Sequence, residues 1–101
     1  MKVRFSLAGA ERYDTILAYI RAQSPLGADR MISTVDRALR RLGQFPLSGS
    51  PVHEFPGLPF KQVIVGSYRF FYIVSQRERV VVVVDVWHVA QIPDAPQLPA
   101  P

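Results

Sequence analysis

The sequence predicts an α+β fold, an N-terminal strand and a helical hairpin packed on a mainly antiparallel β-sheet. Three observations predict it. Residues Phe60 to Val89 read as three short strands joined by two tight turns. Two segments upstream repeat their apolar residues with helical spacing, separated only by Gln23-Ser24-Pro25. The chain opens on a strict alternation of polar and apolar residues. With 101 residues, 49% hydrophobic and 20% charged, it suits one folded domain over residues 1–92, followed by a proline-rich flexible tail over 93–101.

Lys2 to Leu7 places Val3, Phe5 and Leu7 on one side and Lys2, Arg4 and Ser6 on the other, a half-buried strand. A helix is expected from about Ala10 to Ala22, with Tyr13, Ile16, Leu17 and Ile20 as its apolar stripe. Glu11 and Asp14 would sit early and Arg21 late, as the helix dipole favours. Ser24 suits an N-cap and Pro25 the first turn of a second helix, from about Leu26 to Phe45. Ala28, Met31, Ile32, Val35, Leu39 and Leu42 give that helix its apolar face, and Asp29, Arg30, Arg37, Arg40 and Arg41 point mostly outward. So short a link folds the helices into an antiparallel hairpin.

Phe45 to Pro59 is rich in proline, glycine and serine and reads as a loop. Strands follow at Phe60–Val65, Tyr68–Val74 and Val80–Val89, with turns at Gly66-Ser67 and Gln76 to Arg79. Val80 to Val84 is apolar on both faces and belongs in the middle of the sheet.

Composition excludes several functions. The longest aliphatic run, Val80 to Val84, falls far short of the ~20 residues of a membrane span. The N-terminus lacks a secretion signal, so a cytoplasmic protein is expected. There is no cysteine and there are only two histidines, so disulfides, thiolate sites and a histidine-rich metal site are not expected. A net charge of +4 and a preference for arginine point to an anionic partner, or simply to solubility.

The candidate chemistry lies around the sheet. Arg69 sits within the aromatic run YRFFY, where an unpaired guanidinium is costly. It either binds a phosphate or pairs with Asp85. His88, beside Trp87, is a possible general acid or base, and more simply a strand-end histidine bonded to backbone. With Glu54 and Lys61 these groups would suffice for metal-free RNA cleavage, although such residue types are common. Strand parity decides their relation: a two- or four-residue loop after Val74 puts His88 on the Arg69 face, a three-residue loop puts Asp85 there. Arg37, Arg40 and Arg41 form a cluster that is either solvated or a docking surface.

The opening VRFSL, the helix with ILAYI, SPLGADRMISTVDRALRRLGQFPLSG, the loop glutamate, VIVGSYRFFYIV and the final VWHVAQ together resemble the ParE/RelE superfamily of bacterial type II toxin–antitoxin toxins. The resemblance covers about Val3 to Pro93, with FPLSG and VGSYRFFY its most specific parts. It implies a helical hairpin on a twisted antiparallel sheet and a growth-inhibiting toxin without cofactor. It also implies silencing by a co-encoded, typically acidic antitoxin, through which alone operator DNA would be bound. RelE-type members cleave mRNA on the ribosome. Glu54, Arg69 and His88 fall where a catalytic set of that branch would lie, with Lys61 as a further cation. ParE-type members poison DNA gyrase. The long hairpin and modest lysine content look more like ParE, and VAQIPDAP after His88 lacks the basic, tyrosine-bearing end of RelE. In either branch Arg37, Arg40, Arg41 and Trp87 are expected to meet antitoxin or target. An inactive relic or a plain protein-binding module is the further alternative.

Overall fold

In the computed structural model, which describes residues 1–99, the first strand, β1 (Lys2–Phe5), passes directly into a helix, α1 (Leu7–Gln23). Ser6 makes the junction. Its backbone N–H donates to the Val83 carbonyl at 2.9 Å, and its hydroxyl accepts the Gly9 N–H at 3.0 Å, capping the helix. The strand therefore stops short of the predicted Leu7 and the helix starts before the predicted Ala10. Glu11 and Asp14 consequently fall outside the first turn, which holds no acidic residue. Gly9 permits the close approach: a Cβ there would lie 2.5 Å from the Val83 carbonyl oxygen.

Ser24 alone links α1 to the second helix, α2 (Pro25–Gln44). Its N–H closes α1 on the Ile20 carbonyl at 2.8 Å, and its hydroxyl accepts the Gly27 N–H at 2.9 Å. Ala28, Val35 and Leu42 are buried, with Met31, Ala38 and Leu39 packed beside them. Ile32 departs from the expected apolar face and is 39% exposed. At 100° per residue it lies roughly 60° off the centre of the buried stripe.

Past α2 the chain makes a strand that the sequence did not suggest, β2 (Ser50–Pro51), followed by β3 (Lys61–Val65), β4 (Tyr68–Ser75) and β5 (Val80–His88). They form one five-stranded sheet in the order β1-β5-β4-β3-β2, with β1 parallel to β5 and the other pairs antiparallel. Pro51 is tolerated because β2 is an edge, where a missing N–H removes no central ladder bond. The placement of β5 between β1 and β4 explains its valines, which are buried on both faces.

Those faces carry two separate cores. Phe70, Tyr72, Val81, Val83 and Val86 pack under the helices with Val35 and Leu42. Phe71, Val80, Val82, Val84 and Trp87 pack on the other side beneath Val52, Phe55 and Phe60 of the 52–60 loop. Gly49 of the FPLSG segment lies against the Tyr72 hydroxyl, to which its N–H donates at 2.9 Å; any Cβ there would overlap that oxygen.

The four-residue turn Gln76 to Arg79 is as expected and pairs Ser75 with Val80. The pairing then slips. Tyr72 faces Val83 but Phe71 faces Asp85, leaving Val84 as the extra residue of a β-bulge. Beyond it Arg69 lies opposite Trp87, and Tyr68 opposite His88. The parity expected of a four-residue turn is thereby reversed, and His88 does not share a face with Arg69.

Residues 92–99 form neither helix nor strand; Pro93 is buried. The last two residues of the predicted tail lie outside the described residues. Among the described residues no helix is long and apolar enough to cross a membrane.

Replacing Gly9 by alanine drives a methyl into the Val83 carbonyl, where rigid backbone faces rigid backbone. The expected loss is ~2 kcal/mol, typical of overpacking, read as a lower urea midpoint at unchanged slope.

Candidate functional site

Arg69 projects from β4 onto the loop-covered face, where its side chain stacks over Phe71 with the guanidinium carbon 4.9 Å from the ring centroid. It is 8% exposed. All three of its guanidinium nitrogens are engaged. Nη1 and Nη2 grip the two carboxylate oxygens of Glu54 at 2.8 and 2.7 Å, and Nε donates to Gln62 Oε1 at 2.7 Å. The amide nitrogen of Gln62 in turn donates to the Pro51 carbonyl at 3.4 Å. One buried cation thus ties β4 to β3, to β2 and to the loop.

The fork-on-fork geometry is the strong form of the arginine–carboxylate bond. The Arg69 hydrogen bonds hold the Glu54 carboxyl well below the usual carboxylate range, at about 2, aided by a backbone N–H. Glu54 is therefore ionised at neutral pH and, being so weak a base, is poorly suited to taking a proton from a hydroxyl.

The predicted alternative, an Arg69–Asp85 pair, does not form although the bulge brings both onto one face. Asp85 is taken by other donors: the Trp87 indole N–H at 2.7 Å, the Val86 N–H at 2.9 Å and Arg12 Nε at 3.4 Å. Arg12 arrives from α1 and lies over the Trp87 ring, 4.5 Å from its centroid. Trp87 is consequently 9% exposed.

His88 sits on the opposite, helix-side face. Its ring packs edge-on against Tyr68 at 5.3 Å, its Nδ1 accepts the Ala90 N–H at 3.0 Å, and its own N–H donates to Gln91 Oε1 at 3.0 Å. An accepting Nδ1 leaves the proton of the neutral ring on Nε2. Lys61 lies opposite Tyr72 and so also belongs to the helix side. The structure brings Glu54 and Arg69 together and holds His88 and Lys61 away from them, across the sheet. Among the described residues no group of three or more His, Asp or Glu could hold a metal ion.

The arginines of α2 are exposed. Arg40 pairs with Asp36 at 3.0 Å, whereas Arg37 reaches only the Ser33 and Thr34 hydroxyls at 3.4 Å and Arg41 lies over the Phe45 ring at 5.4 Å. Spacings of seven and four residues put Arg30, Arg37 and Arg41 in one row along the helix. None of these three makes an ion pair among the described residues.

Sequence reasoning missed two members of these networks. Gln62 had a signal, since it alternates with Phe60 and Ile64 on one strand face and a polar group there needs a partner. Arg12 had none: it lies on the polar side of its helix, and only the packing of α1 across β5 brings it over Trp87.

Solved structures share this architecture. The chain superposes on one from the toxin–antitoxin complex RelBE2 of Mycobacterium tuberculosis with a TM-score of 0.62 at 23% identity, covering 89% of this chain and 92% of the other. It superposes on one from the chromosomal ParDE toxin–antitoxin system of P. aeruginosa with a TM-score of 0.71 at 14% identity, covering 88% and 96%. At such identities the likeness defines the fold, that of RelE/ParE-like toxins. Among curated proteins none matches the chain. The sequence profile of the family described as ParE toxin of type II toxin–antitoxin system, parDE, matches residues 3–93. The protein belongs to the ParE toxin family.

A lowered carboxyl pKa adds stability above the unfolded value, and that stability is lost as pH falls toward the folded one. The Glu54–Arg69 contribution is therefore complete above 4.5 and fades as pH drops toward about 2. In urea unfolding across this range, wild type should exceed Glu54→Gln by a constant margin near neutrality, and the margin should close in acid.

Proposed function

We propose that this ParE-family toxin arrests growth by poisoning DNA gyrase in the cytoplasm, without cutting RNA, and that a cognate antitoxin silences it. The observation that carries this reading is the separation of His88 from the Glu54–Arg69 pair by the thickness of the sheet. Metal-free RNA cleavage needs a base, an acid and a cation converging on one phosphate. Here the carboxylate neutralises the cation, and the histidine closes a turn on the other face. Membership of the ParE family and the resemblance of the long hairpin to gyrase-directed toxins point the same way.

Arg37 and Arg41 on the outer face of α2, with Arg30 in line, supply the surface for an acidic antitoxin. The two solved structures compared above come from toxin–antitoxin systems. The unpaired row offers such a partner charge without first breaking internal ion pairs. Arg40 contributes less, being already neutralised by Asp36.

Induction of the protein alone in a bacterial host tests the mode of action. Supercoiling should fail while translated messages stay intact, and His88→Ala should inhibit growth as strongly as wild type. Codon-phased cuts in mRNA that vanish in His88→Ala would sink the proposal in favour of a RelE-like nuclease. Normal growth and normal supercoiling would make the chain an inactive relic or a binding module.

The partner surface has a separate test. Arg37→Glu/Arg41→Glu should stay toxic but resist neutralisation by the antitoxin, and the antitoxin affinity of the wild type should fall steeply with salt.

A further inference from the structure

The described end of the chain is organised around a repeat that the toxin fold does not require. Pro93, Pro96 and Pro99 recur at every third position, and the residues between them are Asp94-Ala95 and Gln97-Leu98. Burial follows the same period. Pro93 is buried and Pro96 and Pro99 are half-buried, while Asp94, Ala95, Gln97 and Leu98 are all exposed. A polyproline II helix has three residues per turn and no internal hydrogen bonds, so it places every third side chain on one face. The segment matches that period: the prolines are its less exposed residues, those between them are exposed, and residues 92–99 form no regular hydrogen-bonded structure.

The segment runs along a prepared surface. Asp94 to Gln97 line a groove of about 480 Å³ together with Ala8, Arg12, Thr15 and Trp87. Gln97, Leu98 and Pro99 continue into a neighbouring groove walled by Arg4, Ser6 and Leu7. The Trp87 ring is fixed without help from the tail, because Asp85 accepts its indole N–H and Arg12 covers it. Small residues on α1, Ala8 and Thr15, leave room beside it. An aromatic ring held rigid next to a shallow, small-residue wall is the kind of surface on which proline-rich segments dock, since their conformation is already restricted and little entropy is lost. All but the first proline of this segment lie past the stretch that the family profile matches, residues 3–93.

We propose that the cleft between α1 and the distal half of β5, built on Trp87 and Arg12, is a polyproline-binding groove occupied by the chain's own Pro93-x-x-Pro96-x-x-Pro99 segment. The strap runs beside the part of β5 that β1, which pairs only as far as Val83, leaves without a strand partner. It runs alongside the first turns of α1, where Ala8, Glu11, Arg12 and Thr15 share a groove with it. A partner carrying an extended segment with the same proline spacing would compete for the groove. The inference does not depend on the mode of toxicity.

Trp87 is the sole tryptophan, so the groove reports on itself in the full-length chain. The test compares wild type with Pro96→Ala/Pro99→Ala, with Arg12→Ala and with Ile92→Ala, whose side chain is 91% exposed. Acrylamide quenching of Trp87 is measured alongside the heteronuclear NOE of the backbone amides at 94, 95, 97 and 98, which reads ps–ns mobility. In wild type these amides should be as rigid as the sheet. The double proline variant and Arg12→Ala should lose that rigidity while circular dichroism stays native, and in the proline variant Trp87 should become more quenchable. Ile92→Ala should match wild type. Excess free peptide PDAPQLP should return Trp87 of the double proline variant toward wild-type shielding. The proposal is overturned if the wild-type tail is already as mobile as the free peptide. It is equally overturned if quenching is unchanged in the double variant, or if the peptide does not restore shielding there.

Discussion

The single extra residue in β5 governs how the rest of this molecule is arranged. Up to Tyr72↔Val83 the pairing with β4 follows from the turn, and from Phe71↔Asp85 onward it is shifted by one. A bulge places successive residues on the same side of a sheet and sharpens the local twist. Val83 and Val86 can therefore both enter the helix-side core, while Val82, Val84 and Trp87 enter the core under the loop. The bulge also coincides with the end of β1, where the Ser6 N–H takes the Val83 carbonyl and Gly9 presses α1 against the same peptide. Strand end, helix start and change of register are one structural event.

The sheet has helices on only one side, so the second core needs another cover. The 52–60 loop provides it with Val52, Phe55 and Phe60, but a loop of this composition has little intrinsic order. Arg69 fastens it. By gripping Glu54 and Gln62 at once, the buried guanidinium spans loop, β3 and β4, with Glu54 facing solvent on its outer side. A buried charge with every partner in place is tolerable, and one deprived of its carboxylate is not. This offers a structural reason for an arginine amid aromatic residues that is independent of substrate binding.

The same distribution of partners divides the surface into satisfied and unsatisfied charge. Arg12, Arg40 and Arg69 each meet a carboxylate, whereas Arg30, Arg37 and Arg41 meet none among the described residues. Those three lie in one row along α2. The arginines that hold the fold together and those of the α2 row are thus different residues, so the row can vary without disturbing the internal ion pairs.

Much of the fold was legible in the sequence because it rests on local rules. Alternation marked the strands, helical spacing marked the apolar face of α2, and Ser24-Pro25 marked the junction, since a hydroxyl cap and a fixed proline φ act within a few residues. The family, too, could be read from its segments. The start of α1 was misplaced because the Ser6 cap is reinforced from β5, far away in sequence. Ile32 was misassigned because it stands at the margin of its stripe, where only the width of the neighbouring core decides. The fate of the candidate site was decided by tertiary structure alone. Residue types showed that Arg69 required a partner, but not that it would be Glu54. Turn length left His88 and Asp85 as alternatives for the Arg69 face; the four-residue turn that formed would have put His88 there, and the bulge reversed it. A register shift depends on how two cores are filled at once, and a one-dimensional pattern with a period of two carries no record of the point at which one residue is left over.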